Sequence, residues 1–242
     1  HHMFGHINAV WLEHEISDDD FPMIVLLISG GHTLLLLVKS IFNIKILAST
    51  VDDAAGEAFD KVARMLGLDY PGGPIVDKLA NQYLAKAKDN KVVDEFKFTV
   101  PVKKDEERFS FSGLKTAVLN VVEKQDEITS DFIESVCYSF QKTVIQACMT
   151  KINMAVKKYD AKSVAIGGGV AANSMLRSEL NALEVKTFLP SIKMCTDNAA
   201  MIAMAAAQLI GSNYEFNLRS SALPIEKAVF PRWNIEEYIN NI

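Results

Sequence analysis

Two unbroken apolar runs, 23–28 and 34–38, are separated only by the polar pentad Ser29-Gly30-Gly31-His32-Thr33. Short continuous runs bounded by a Gly-Gly turn read as strands covered on both faces, here over 21–29 and 33–39. Residues 43–50 alternate well enough for a third strand. The period then changes. Ala55, Phe59, Val62 and Leu66 recur at helical spacing, with Asp53, Glu57 and Asp60 on the opposite stripe, then Arg64, and Gly67 as the stop. Three strands followed by a helix departs from the strand–helix alternation of a dinucleotide-binding unit.

The pattern continues with a short helix before the first strand, over 7–15, and a turn at 70–74 leading into a helix over 75–87. A charged loop follows across 89–111, then a helix over 114–123. The longest periodic segment is 131–158, where Phe132, Val136, Phe140, Val144, Cys148, Ile152 and Ala155 recur, with Asp131 and Glu134 in a capping arrangement. Strands are expected at 162–166 and 185–189, with a glycine turn at 167–169 and a helix over 173–182 between them. The helix over 197–210 is almost purely Ala, Met and Ile and is expected to be buried. The tail beyond it reads as loop, and the composition shift across 89–104 marks a hinge between two lobes.

Composition narrows the function classes. The chain of 242 residues, 49% hydrophobic, has ample material for one large domain or two small ones. No apolar run approaches the ~20 residues needed to span a bilayer. Three cysteines, Cys137, Cys148 and Cys195, lack CxxC spacing, which favours reduced thiols and an intracellular setting. A net charge of −5 excludes a general affinity for nucleic acid, so any such contact is local. The densest basic cluster is Lys103, Lys104, Arg108 and Lys115, interleaved with Phe109 and Phe111. It reads either as a polar loop or as a nucleic-acid contact. The chain opens His1-His2-Met3 with no signal peptide, as a piece of a longer protein or with tag residues at its start.

Four features carry candidate chemistry. The carboxylates Asp53, Glu57 and Asp60 form either a solvated face compensated by Arg64 or a row of acceptors for hydroxyls or a cation. His2 and His6 lie four apart, on one helical face at metal-ligand spacing, without the adjacent Glu of the protease signature. Asp197 would complete a two-histidine, one-carboxylate set, although it and Thr196 also stand where a helix cap is needed. The Ser29–Thr33 hairpin offers backbone N–H groups to an anion or is an ordinary turn, with His32 as a donor to a phosphate or carbonyl oxygen. Gly167-Gly168-Gly169-Val170-Ala171-Ala172 fits G-x-G-x-x-A, but the next strand ends Leu189-Pro190-Ser191 with no acid for a ribose. A nucleotide on that turn and the following helix N-terminus, touched by Asn173, fits better.

The blocks HHMFGH, SGGHT, VDDAAGEAFDKVARMLGLDYPGGP, FSFSGLKT, IGGGVAANSMLR and CTDNAAMIA occur in the order of the tRNA N6-adenosine threonylcarbamoyltransferase family, once labelled glycoprotease. The chain resembles that family from His2 to about Trp233. The resemblance implies an α/β, actin-like and Hsp70-like ATPase fold with two lobes around a nucleotide cleft and the first lobe incomplete. On it, 1–20 is a remnant of the first lobe bearing the metal-ligand helix, and 21–242 the second, with a helical insertion over about 70–160. It implies transfer of a threonylcarbamoyl group from threonylcarbamoyl-AMP to N6 of adenosine 37 in tRNAs reading codons that begin with A. His2, His6 and Asp197 would be ligands of iron or zinc. Leu27, Ile28, Ser29, Gly30, Gly31, Asp60, Gly73, Asp77 and Asn173 would line the adenylate site, which an ATP- or ADP-like nucleotide would also fit. Asp60, Glu57 and His32 are the candidate catalytic groups.

Implied partners are tRNA, the enzyme that makes the donor, and either a small ATPase with a paralogue or a kinase-containing complex. The implied setting is cytoplasmic, with an organelle as the alternative. The family's opening GIETSCDET-like strand and GPGL segment are absent, Phe4 stands where the family has Glu, and extra residues occupy about 220–227. The 242-residue chain is therefore expected to be inactive alone. The competing readings are a nucleotide-bound scaffold subunit and a metalloendopeptidase.

Overall fold

A computed structural model describes residues 1–86, 96–99 and 108–211. The pentad at 29–33 turns β1 (Met23–Ile28) back onto β2 (Thr33–Ser40), pairing Met23 with Val38 and Ile28 with Thr33. Antiparallel to β2 runs β3 (Asn43–Thr50). On the other side of β1 lies β5 (Ser163–Gly167), parallel, with Leu27 opposite Gly167. The short β4 (Arg108–Phe109) and β6 (Lys186–Phe188) complete the sheet in the order β4-β3-β2-β1-β5-β6.

Every residue of β1 is buried, and the two-residue period explains how. Ile24, Leu26 and Ile28 face a core built with α2 (Ala55–Met65), α3 (Gly72–Lys86), α4 (Ser112–Val122), α5 (Ser130–Tyr159) and α6 (Ser174–Asn181). Met23, Val25 and Leu27 face a second core with α1 (His2–Asn8) and α8 (Ala199–Gly211). The expected stripe Ala55, Phe59, Val62, Leu66 is buried in the first core, where Phe59 meets Phe140 edge-to-face at 5.0 Å. Gly67 ends α2, with the Leu68 N–H on the Ala63 carbonyl at 2.9 Å.

Several local expectations are corrected. The first helix starts at His2, not at residue 7, because His1 Nδ1 accepts the Met3 N–H and Met3, Phe4 and Ile7 already form its buried face. Only a 3-10 turn, Ala9–Leu12, follows. The cap of α5 is Thr129, whose side chain accepts the Phe132 N–H, while Asp131 and Glu134 both bind Lys86. A four-residue helix, α7 (Ile192–Cys195), precedes α8. In α8 only Met201 and Ala205 are buried, and Ile202 and Ile210 are exposed. Its uniformly apolar sequence therefore overstates its burial. The hinge expected at 89–104 lies mostly outside the described residues, as do Lys103, Lys104, Trp233 and the segment 220–227. Among the described residues no helix is long and apolar enough to cross a membrane.

Candidate active site

The strands β1 and β5 run parallel in register, so the turns leaving Ile28 and Gly167 emerge at one edge of the sheet. Close packing there leaves no room for a side chain at Gly56 or Gly168, whereas a Cβ at Gly30, Gly31 or Gly169 would meet open space. A Cβ on Gly56 would lie 2.6 Å from the Ser29 carbonyl, to which the Gly56 N–H already donates. Gly168, at φ +92, would place one 2.5 Å from the Ile28 carbonyl. Beside these turns is a cavity of about 460 Å³. It is lined by Gly30, Asp60, Gly73, Asp77 and Asn173, five of the residues expected at an adenylate site, and by Tyr70, Val170, Ile192 and Thr196 among others. Leu27 and Ile28 are fully buried strand residues and do not line it; neither do Ser29 and Gly31.

The carboxylates are sorted by their partners. Asp60 Oδ1 accepts the Gly72 N–H at 2.8 Å and remains at the cavity wall. Asp53 precedes the helix and binds Lys61 at 2.7 Å and Lys115 at 3.3 Å; the Lys61 hydrogen bond, above all, holds its carboxyl below the usual range. Glu57 also pairs with Lys61, at 2.7 Å. The compensating charges are therefore Lys61 and Lys115, not Arg64, and only Asp60 of the three faces the cavity. With Lys115 bound to Asp53, the FSFSGLKT block serves another carboxylate. Ser110 and Ser112 donate to Asp52 Oδ2, and the Phe111 N–H to Oδ1.

Asp77 is the centre of a network. Its Oδ1 accepts from Ser174 Oγ at 2.8 Å, Gln141 Nε2 at 2.9 Å and Asn173 Nδ2 at 3.2 Å, and its Oδ2 from the Ser174 N–H at 3.1 Å. Gln141 escaped sequence reasoning; the only signal was a polar side chain amid the apolar positions of α5. Asn173 caps α6 by accepting the Leu176 N–H.

Next to this wall lies the histidine cluster. Residues 6 and 197, far apart in sequence, are joined by a hydrogen bond of 2.9 Å between His6 Nε2 and Asp197 Oδ1. The His2 ring stands 6.2 Å from that of His6 and 5.7 Å from that of His32. Burial, then His32, holds His2 below the ordinary imidazole value; burial, then His6, does the same for His32. Both rings therefore stay neutral, with lone pairs free to bind, to lower pH than usual. His6 is buried, and among the described residues its Nδ1 has no hydrogen-bond partner. Among the described residues no three acidic, histidine or cysteine side chains already converge as a metal set. The cap of α8 is Asn198, which accepts the Met201 N–H, so neither Thr196 nor Asp197 is needed for that role.

Solved structures with this fold include full-length HypF in its phosphate- and nucleotide-bound form, at TM-score 0.61 and 14% identity, covering 88% of this chain and 43% of that one. HypF from T. kodakarensis matches at TM-score 0.58 and 16% identity, covering 86% of this chain and 36% of that one. The fold is that of the actin-like ATPases. The chain is 44% identical to the tRNA N6-adenosine threonylcarbamoyltransferase of Thermosipho africanus, over 92% of this chain and 66% of that protein. It is 42% identical to the enzymes so named from Vesicomyosocius okutanii (98% and 65%) and Francisella philomiragia (92% and 67%). It thus spans about two thirds of the length of the curated relatives it matches. The family model for tRNA N6-adenosine threonylcarbamoyltransferase matches residues 1–204, and the chain belongs to that family.

Proposed function

We propose that the protein, in its whole form, transfers the threonylcarbamoyl group of threonylcarbamoyl-AMP to N6 of adenosine 37 in tRNAs reading codons that begin with A. The observation that carries this reading is the adjacency of the two halves of the site. Thr196 lines the cavity, and the next residue, Asp197, is bonded to His6. The donor's adenylate would lie in the cavity, its ribose hydroxyls on Asp60 and Asp77 and its phosphate near the glycine turns at 30 and 169. Its carbonyl would then face the histidine cluster.

In the transfer the amine attacks that carbonyl, a C–N bond forms, the amine gives up one proton to the departing phosphate or to water, and AMP leaves with the electron pair of the broken C–O bond. No side chain becomes covalently attached. What the protein supplies is orientation of the donor and exclusion of water. On this reading His32 would donate to a phosphate or carbonyl oxygen, and Asp60 would hold a hydroxyl.

His2, His6 and Asp197 are fitted by chemistry to hold one divalent iron or zinc ion, two imidazoles and a carboxylate being a common donor set for such ions. Two of the three are already in contact, His6 Nε2 and Asp197 Oδ1 lying 2.9 Å apart, with the His2 ring 6.2 Å from that of His6. When bound, the ion would stabilise negative charge on phosphate or carbamoyl oxygens. The site of action is the cytoplasm, with partner subunits of the same modification machinery and a separate enzyme making the donor.

The test is transfer to tRNA with unmodified adenosine 37, using synthetic threonylcarbamoyl-AMP and the whole purified protein with its partners. His6→Ala is expected to lower the rate on the order of a hundredfold. An unchanged rate would overturn the reading.

A further inference from the structure

Gln141 is a fully buried amide in α5, far from the cavity in sequence, yet bonded to two of its lining residues. Which way that amide points is settled by neighbours that cannot flip. The Leu176 backbone N–H donates to Asn173 Oδ1 at 2.9 Å, so Asn173 must turn its Nδ2 the other way. There it donates to Gln141 Oε1 at 2.7 Å and to Asp77 Oδ1 at 3.2 Å. With its oxygen occupied, Gln141 presents Nε2 to Asp77 Oδ1 at 2.9 Å. Leu176 thus fixes Asn173, Asn173 fixes Gln141, and Gln141 fixes Asp77.

The consequence falls on Asp77. Its Oδ1 is saturated by three donors, whereas among the described residues its Oδ2 accepts only from the Ser174 N–H. A carboxylate oxygen has room for a second hydrogen bond. We propose that Gln141 is a positioning residue of the cavity, locking Asp77 and Asn173 so that Asp77 Oδ2 keeps one fixed acceptor direction for a hydroxyl of a bound ribonucleotide. The inference rests on the nucleotide reading of the cavity. It adds that the affinity of the site depends on a helix that does not line it.

The amide's two bonds separate this role from simple packing. In Gln141→Glu the size is kept and Asn173 retains its acceptor, but an oxygen replaces the N–H that faces Asp77. Among the described residues Asp77 is the charged group hydrogen-bonded to this amide. At low pH the new carboxyl carries a proton and donates it to Asp77 Oδ1, restoring the pattern. At higher pH two carboxylates oppose each other and Asp77 is pushed out of place. Gln141→Leu removes both bonds at every pH.

The experiment measures AMP affinity by calorimetry on the whole purified protein at pH 5.5 and pH 8. Each variant is read as a ratio to the unsubstituted protein at the same pH, which cancels titration of the probe. For Gln141→Glu the ratio is expected near one at pH 5.5, rising to about tenfold weaker binding at pH 8. For Gln141→Leu, where it folds, binding is expected about tenfold weaker at both. A Gln141→Glu ratio that does not change with pH, whether near one or uniformly raised, would sink the positioning role while leaving the nucleotide site standing. If the unsubstituted protein binds no AMP, the nucleotide reading and this inference fall together.

Discussion

Asp52 shows how one carboxylate can anchor a loop 58 residues further along the chain. Ser110 Oγ and Ser112 Oγ donate to its Oδ2 at 2.5 and 2.8 Å, and the Phe111 N–H to its Oδ1 at 2.8 Å. Burial pushes the carboxyl upward, but these hydrogen bonds outweigh it, and the net shift is below the ordinary value of 3.8. A depressed carboxyl stabilises the fold above its unfolded value and loses that contribution as pH falls through the lower folded value. Asp52→Asn keeps one acceptor oxygen but replaces the other with a donor facing a serine. The expected loss at pH 7 is about 1–2 kcal/mol, the size of one or two partly exposed hydrogen bonds. In urea melts the gap between variant and parent should shrink steadily below pH 3.8. A gap that stays constant down to pH 2.5 would show that the carboxylate charge contributes nothing.

Elements were legible wherever a period repeated several times. The stripe of α2, residues 131–158 of α5 and the alternation of β3 followed from spacing, because burial on a regular element imposes its own repeat, while β1 and β2 followed from unbroken apolar runs on either side of a glycine turn. Where the element was short the signal failed. Four residues in α7 and two in β4 span about one period each, too few for a repeat to show, and α1 was obscured by its histidines. The opposite stripe of α2 was half legible: its carboxylates were seen, but Lys61 as the partner of Asp53 and Glu57 was not, since Asp53 lies before the helix. The two stripes should differ sharply in cost. Phe59→Ala empties a fully buried position against Phe140 and is expected to lose about 3–5 kcal/mol. Glu57→Ala removes one partly exposed ion pair and should stay within about 0.5 kcal/mol. Chemical denaturation of both variants checks the contrast; similar costs would mean that the stripe assignment is wrong.

At the scale of the molecule, the alternation along β1 divides the work. One face carries α2, α3 and α5, and with them Asp60, Asp77 and Gln141. The other carries α1 and α8, and with them His6 and the turn bearing Asp197. The parallel ends of β1 and β5 bring the two sets to one edge, the usual place for a ligand in an open α/β sheet. Asn173 was legible beside its glycine turn and Asp77 through the family resemblance, but Gln141 was not, because its meeting with them depends on how α3, α5 and α6 pack. The division predicts that binding and transfer separate by face. Asp77→Ala removes a cavity acceptor and should weaken AMP binding about tenfold, slowing transfer with it. Asp197→Ala leaves the cavity wall intact, so AMP affinity should stay within about threefold while transfer falls on the order of a hundredfold. Calorimetry and a transfer assay on the same two preparations decide it. Equal losses of AMP affinity in both variants would mean that the two faces form a single undivided site.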